Sequence, residues 1–452
     1  MPGPPLGLAE RLKSKTRTAL HSARLDRGGR SLNMQEIIIT WATPVFFALI
    51  ALELLIARWQ GRRVYHSSDA INSLSLGVIS QIAAVFTKLL TLGIYAWCAQ
   101  HLALLHLPAD SVWVWVSGLL LYDFCYYWLH RFGHEVNILW AAHVVHHQSE
   151  DYNLSTALRQ TGSGVLLGWL FYLPMAIIGY PLEVFVVVAL IDLLYQFWVH
   201  TEVIRRLGWF DRVFCSPSNH RAHHAVNDKY LDRNYGGVLI IWDRLFGTFI
   251  EEDDKDPPIY GTRSPLRSWN PLWANVEVYW ATFKDAWHAR RWRDKLLIWF
   301  KPPGWRPADV AERFPKSAFD IGRERFAPPL PTPLVIYSLI QFALLLAMGV
   351  HFLDLAKHMP ASSLLGYAAF LLLSLYALGA MTELRRGGHG LELLRLAATA
   401  AIPLVTGGWF GVTQLDARVW SALIAVPAAS ALVFLLLIWG MRRHRVGRAI
   451  SG

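Results

Sequence analysis

The apolar residues of this chain are gathered in runs of about 15–24 residues, most of them as long as an α-helix needs to cross a bilayer. Nine such runs stand at about Ile37–Ala57, Leu74–Trp97, Val112–Leu129, Gly164–Ile178, Val184–Val199, Leu334–Val350, Leu364–Met381, Leu396–Val412 and Val419–Gly440. A chain of 452 residues would otherwise suggest two or three soluble domains. The runs predict instead an all-α, polytopic integral membrane protein with about nine transmembrane helices.

Charge tests the topology. Arg58, Arg62 and Arg63 follow the first run, Arg385 and Arg386 the seventh, and Arg442, Arg443, Arg445 and Arg448 the ninth. If nine helices alternate, all three sets fall on one face, which the positive-inside bias makes cytoplasmic. Net charge is +10, but the basic residues crowd the ends of apolar runs, so the expected partner is membrane and not nucleic acid. Cys98, Cys125 and Cys215 have no paired spacing and imply no disulfide framework.

Three regions are expected: a basic tail over residues 1–33, a catalytic membrane domain over 34–331, and a four-helix membrane region over 332–452. The tail carries seven basic and two acidic residues. Nine helices would put it outside, so Met34 is a candidate start. Thr201–Pro331 reads as the soluble portion. Within it, Arg290, Arg291, Arg293 and Lys295 beside Trp287, Trp292 and Trp299 suggest an amphipathic helix on the membrane surface.

Nine of the 18 histidines lie between His130 and His224. Eight form three boxes: His130-x3-His134, His143-x2-His146-His147 and His220-x2-His223-His224. Residues three and four apart share a helix face, so each box can bring two or three imidazoles to one point. One ion rarely takes more than about four to six ligands, which argues for two metals. His200 ends a stripe with Asp192 and Gln196 and is a ninth candidate ligand. By topology all nine meet at the cytoplasmic face.

Neutral imidazoles leave two divalent ions with uncompensated charge, which is costly in a site of low dielectric. Carboxylates should offset it. Glu135, directly after His134, is the candidate essential acid. Asp123, Asp192 and Glu202 are expected to support the ligands from behind, Asp123 by accepting an imidazole N–H. Tyr126, Tyr127, Phe197 and Trp198 are candidates for lining a channel for a lipid tail. The chain lacks the His-Glu-x-x-His motif of zinc proteases and the Glu-x-x-His pairs of soluble di-iron bundles. Imidazole alone suits Zn, Cu, Fe or Ni.

The three boxes resemble those of the fatty acid hydroxylase and sterol desaturase superfamily, membrane enzymes with a non-haem di-iron site. Longer strings resemble its alkylglycerol monooxygenases, the branch that cleaves ether lipids: Tyr127–Arg131 with His134–Asn137, His146–Gln160, and Leu194–Glu202. Asn234–Gly237 and Trp242–Phe249 recur across sterol desaturases. The likeness covers about 34–307. It implies two ferrous ions on the boxed histidines, an essential carboxylate at Glu135, and tetrahydrobiopterin as reductant. In a bacterium an electron-donor protein of ferredoxin type could replace the pterin.

The implied reaction uses O2 to insert oxygen into an alkyl chain beside an ether oxygen, giving a fatty aldehyde and a glycerol derivative. An acyl, sterol or aminolipid hydroxylase or desaturase with the same site is the alternative. A non-catalytic zinc-binding membrane protein is a third reading, which nine histidines fit poorly because structural zinc sites are usually closed and four-coordinate. The implied location is the bacterial inner membrane or the eukaryotic endoplasmic reticulum.

Overall fold

The computed structural model describes residues 43–450, with side chains as far as Met441. The first helix, α1 (residues 43–59), leads into α2 (Ser67–His101) and α3 (Val112–Glu135). There follow α4 (Asn137–His147), the short α5 (Leu154–Ala157), α6 (Val165–Gly168), α7 (Leu173–Ile178) and α8 (Leu182–Trp198). The intervening polar segment holds α9 (Pro217–His223), α10 (Ile241–Phe246), α11 (Pro271–His288), α12 (Trp292–Leu297) and α13 (Ala308–Arg313). Last come α14 (Thr332–Leu355), α15 (Ala361–Thr382), α16 (Gly388–Thr406) and α17 (Ala417–Ile450). Among the described residues β-pairing is limited to isolated bridges, so the fold is all-α.

Five of these helices are long and apolar enough to cross a membrane: α2, α3, α14, α15 and the Ala417–Met441 part of α17. Other expected runs take shorter or broken forms. The first begins outside the described residues and continues as α1. The fourth breaks into α6, a tight turn at Trp169–Tyr172, and α7. Pro174 in the first turn of α7 explains a restart there, since proline has no N–H for a helix interior. The fifth run is α8, whose 17 residues span about 25 Å at 1.5 Å per residue. The eighth begins earlier than expected, as α16, with Pro403 inside it and the buried ion pair Arg395–Glu392 at 2.6 Å.

The expected turn between the fourth and fifth runs is present. Gly179 has φ +112°, and a Cβ there would lie 1.9 Å from the Leu105 carbonyl oxygen, so only glycine serves. At the opposite end of the molecule several helix termini are tied together. Asn72 near the start of α2 donates to the Trp269 carbonyl at 2.7 Å, and Ser268 donates to Glu383 just past α15 at 2.6 Å. Arg62 after α1 pairs with Glu202 just past α8 at 2.5 Å. The arginine-bearing ends of α1 and α15 therefore sit on the same side as the end of α8.

The C-terminal helices pack on α2 through Ile71, Leu334, Tyr337, Leu375, Leu378 and Phe434. The amphipathic expectation extends over two helices. Val276, Trp280, Phe283 and Trp287 form an exposed stripe along α11 at spacings of four, three and four, and Trp292 and Leu296 continue it on α12.

Candidate metal centre

Each histidine is delivered by a short, well-defined element. The last turns of α3 carry His130 and His134, and α4 carries the second box. The third box forms because Ser216 caps α9, accepting from the Asn219 N–H, and Pro217 occupies the first turn where its missing N–H costs nothing. His200 follows the end of α8. All nine are at least half-buried, although they come from four separate parts of the chain.

They gather into two groups, His130, His134, His143, His147 and His223 in one, and His146, His200, His220 and His224 in the other. Within each group the candidate donor atoms all lie within 4.8 Å of one another. Each box brings two imidazoles to one point, as its spacing predicts, but each His-x2-His-His box sends its third to the other group. At about 100° per residue, positions i and i+4 lie about 40° apart while i+3 points elsewhere. His143 and His147 thus face the first group and His146 the second. The third box does the reverse, with His220 and His224 in the second group and His223 in the first.

The hydrogen bonds identify the free lone pairs. Nδ1 of His130, His146, His200 and His223 lies 2.8–3.0 Å from the carbonyls of Tyr235, Arg159, Gln196 and Arg233 respectively. A carbonyl only accepts, so those nitrogens carry the proton and Nε2 is left bare. In the second group the Nε2 atoms of His146 and His200, and of His200 and His220, are 3.0 Å apart; those of His220 and His224 are 3.2 Å apart. Ligands at right angles on an ion with bonds of about 2.1 Å would be about 3.0 Å apart. The buried Nε2 atoms of His130, His134 and His223 have no hydrogen-bond partner. The donor set therefore fits two imidazole-bound divalent ions.

Burial, reinforced by the neighbouring imidazoles, holds His143, His147, His220, His223 and His224 well below the ordinary histidine range. His146 is brought down to about 4, chiefly by burial. The neutral form is the one that binds metal.

Behind the histidines lies a layer of polar anchors that the sequence reading missed. Asp243 accepts from the N–H groups of Tyr235 and Gly236, both at 2.7 Å, and so fixes the carbonyl that orients His130. Arg159, fully buried, donates to the Val145 carbonyl at 2.6 Å and to Asn72 at 2.8 Å. Arg221 forks onto Glu252 and also donates to the Thr201 carbonyl, tying α9 to the segment after His200. Asp243 and Arg159 lie inside the quoted strings and Arg221 inside the third histidine box, but no spacing rule marks any of them as an anchor.

The expected supporting carboxylates are placed differently. Asp123 meets no imidazole: it accepts from the Val238 and Leu239 N–H groups and from the Trp242 indole, anchoring the loop before α10. Asp192 accepts from Gln196 at 2.5 Å. Gly237 packs against both carboxyls; a Cβ there would lie 2.8 Å from Asp192 Oδ1 and 3.0 Å from Asp123 Oδ1. Glu202 pairs with Arg62. Glu135 stands outside both groups, half-exposed and accepting from Arg131 at 2.9 Å. The carboxylate that does reach a histidine is Asp232, 3.6 Å from His134 Nδ1.

A cavity of about 430 Å³ opens onto both histidine groups, with His130 and His143 of the first and His146 and His200 of the second in its wall. Tyr126 and Phe197 line it as expected. Tyr127 and Trp198 do not: Tyr127 hydrogen-bonds Thr248 and stacks on Phe246, while Trp198 packs against Tyr195 and Phe210. Both are one position out of phase with a lining residue, and a one-residue step turns a side chain about 100°.

Residues 115–248 match the fatty acid hydroxylase family. The chain is 39% identical to human alkylglycerol monooxygenase over 362 residues, covering 78% of this chain and 80% of the relative. It is 38% identical to the zebrafish (Danio rerio) alkylglycerol monooxygenase, covering 79% and 80%. It is also 33% identical to the ornithine lipid hydroxylase OlsE of Rhizobium tropici, over 139 residues that cover 30% of this chain and 41% of that protein. No solved structure matches.

Proposed function

Because the chain belongs to the alkylglycerol monooxygenase family, within the fatty acid hydroxylases, we propose that it is a membrane-bound, O2-dependent monooxygenase that opens the ether bond of alkylglycerols. One observation carries the reading: an apolar cavity sized for a lipid tail ends on both histidine groups at once. The long, near-full-length likeness to alkylglycerol monooxygenases favours ether cleavage over plain hydroxylation, for which the likeness to OlsE is partial.

The nine histidines are the proposed ligands of two iron ions, five on one and four on the other. Ferrous ions bound there would supply the activation of O2. The protein's own contribution is positional. Carbonyls hold four of the imidazoles, those of His130, His146, His200 and His223, in one tautomer, and the cavity walls exclude water and lay the alkyl chain against the histidines. One oxygen atom enters the C–H bond beside the ether oxygen; the other leaves as water, using two electrons and two protons from a reductant. The resulting hemiacetal collapses, its hydroxyl proton passing to the glycerol oxygen as the C–O bond breaks.

Glu135 remains the proposed essential carboxylate, supported by its position after His134 and by Arg131, which links it to Tyr127 at 3.3 Å. The reductant is proposed to be a reduced pterin such as tetrahydrobiopterin, or an electron-donor protein. Nine crossings with the histidines at the cytoplasmic face are supported by Arg62 and Arg385, which lie at the histidine end. The exposed aromatic stripe of α11 and α12 would rest in the head-group region.

The test is direct. Membranes containing the protein, given an alkylglycerol, O2 and a reduced pterin, should release fatty aldehyde. Hydroxylated acyl lipid or sterol formed without aldehyde would overturn the ether-lipid reading.

A further inference from the structure

We propose that α14 forms the far wall of the alkyl cavity, and that its residues Leu346, Gly349, Val350 and Leu353 set the length of chain accepted. The choice of an alkylglycerol as substrate rests on the reading above; the assignment of the wall does not.

The cavity reaches well into the membrane from the histidines. From His130 its lining on α3 reaches back to Tyr122, and on α2 it runs from Leu74 to Ile82. Each stretch covers eight residue steps, about 12 Å of helix at 1.5 Å per step. The histidines come from α3, α4, α9 and the segment after α8, whereas α14 packs on α2, α15 and α17. Leu353 sits with Ile82 in a different apolar cluster from any histidine-bearing element.

The four α14 residues follow one another at i, i+3, i+4 and i+7, so they are one continuous face of the helix. That face is aliphatic or bare, with no polar atom for a head group to meet, which suits the methyl end of a chain. At Gly349 α14 comes close to α2: a Cβ there would lie 3.3 Å from Val78 Cγ1. The space beside it is therefore set by the side chains one turn either side, Leu346 and Leu353.

Family likeness points the same way. The fatty acid hydroxylase match covers residues 115–248 and stops short of α14. A wall built outside the shared catalytic segment can change tail length without disturbing the metal ligands.

Two measurements decide the matter. Leu346→Ala and Leu353→Ala should shift the kcat/KM ratio of long to short 1-alkylglycerols upward, and Leu346→Phe and Leu353→Phe downward, each by about tenfold or more. Independently, an alkylglycerol bearing a diazirine at its terminal carbon should, on irradiation, label α14. Opposite shifts with label on α14 support the proposal. Unchanged ratios overturn the length-setting role, and label confined to other helices overturns the wall itself. If the unaltered protein oxidises no alkylglycerol, the ether-lipid reading falls, while the label, which needs no turnover, still decides where the chain lies.

Discussion

His146 and Arg159 hold each other in place: the His146 imidazole donates to the Arg159 carbonyl at 3.0 Å, and the Arg159 guanidinium donates to the carbonyl of Val145, the residue before His146, at 2.6 Å. Burial lowers Arg159 to about 10, with Asp69 opposing the shift. One residue thus serves twice: its side chain fixes the end of α4, and its backbone carbonyl fixes the tautomer of a proposed ligand. Arg159→Leu would strand buried acceptors on Val145, Asn72 and Gln148. The expected loss is about 3–5 kcal/mol, read by thermal denaturation in detergent together with the metal-to-protein ratio.

The split of the boxes makes two similar substitutions unequal. His146→Ala leaves the second group with three imidazoles, and His143→Ala leaves the first with four. Metal content should fall toward one ion per chain in the His146 variant and less in the other. Affinity at the damaged site should drop by more than the 10–100-fold typical of losing an outer partner. Equal losses in both variants would contradict the two-group arrangement.

Asp243 reaches the metal centre only through the backbone it holds. Burial raises its carboxyl to about 6 despite three hydrogen bonds, yet Asp243→Asn would turn an amide N–H toward the Tyr235 or Gly236 N–H. Metal affinity is expected to weaken by about 10–100-fold, with the loss concentrated in the group containing His130. Metal titration of the purified variant measures it.

Glu135 separates a chemical role from a structural one. Its pair with Arg131 is partly exposed and of the i,i+4 type, so Glu135→Gln should change stability by no more than about 0.5 kcal/mol. If the carboxylate is essential, turnover falls by about 100-fold or more at unchanged metal content. Full activity in this variant would remove Glu135 from the reaction.

Glu252 supplies a pH dependence. Burial raises its carboxyl, but Arg221 and Ser218 outweigh that and leave it below its ordinary value of 4.5. A depressed carboxylate stabilises the fold above its unfolded value and loses that contribution as pH falls through the folded one. Stability should therefore decline below about pH 4.5, and Glu252→Gln should flatten that limb of a denaturation series.

Much was legible in the chain because it rests on local repetition. Apolar runs report helices, and the i, i+3, i+4 spacing of His143, His146 and His147 reports imidazoles on adjacent faces, whatever surrounds them. The strings around the boxes were specific enough to name the family. The supporting carboxylates were misread for the opposite reason. Asp123 looked like a partner for an imidazole because it shares a face with His130, but a loop more than a hundred residues away in sequence takes its lone pairs.

The sequence by itself therefore determined that the protein is helical, that it belongs in a membrane, and that nine histidines are its candidate metal ligands. Only the tertiary structure decided how those histidines divide, five against four, and which carbonyls hold their protons. It alone joined α14 to a cavity that begins at the histidines. Spacing along a helix says which side chains share a face; which distant backbone or helix meets that face depends on how the whole chain packs, and no local pattern encodes it.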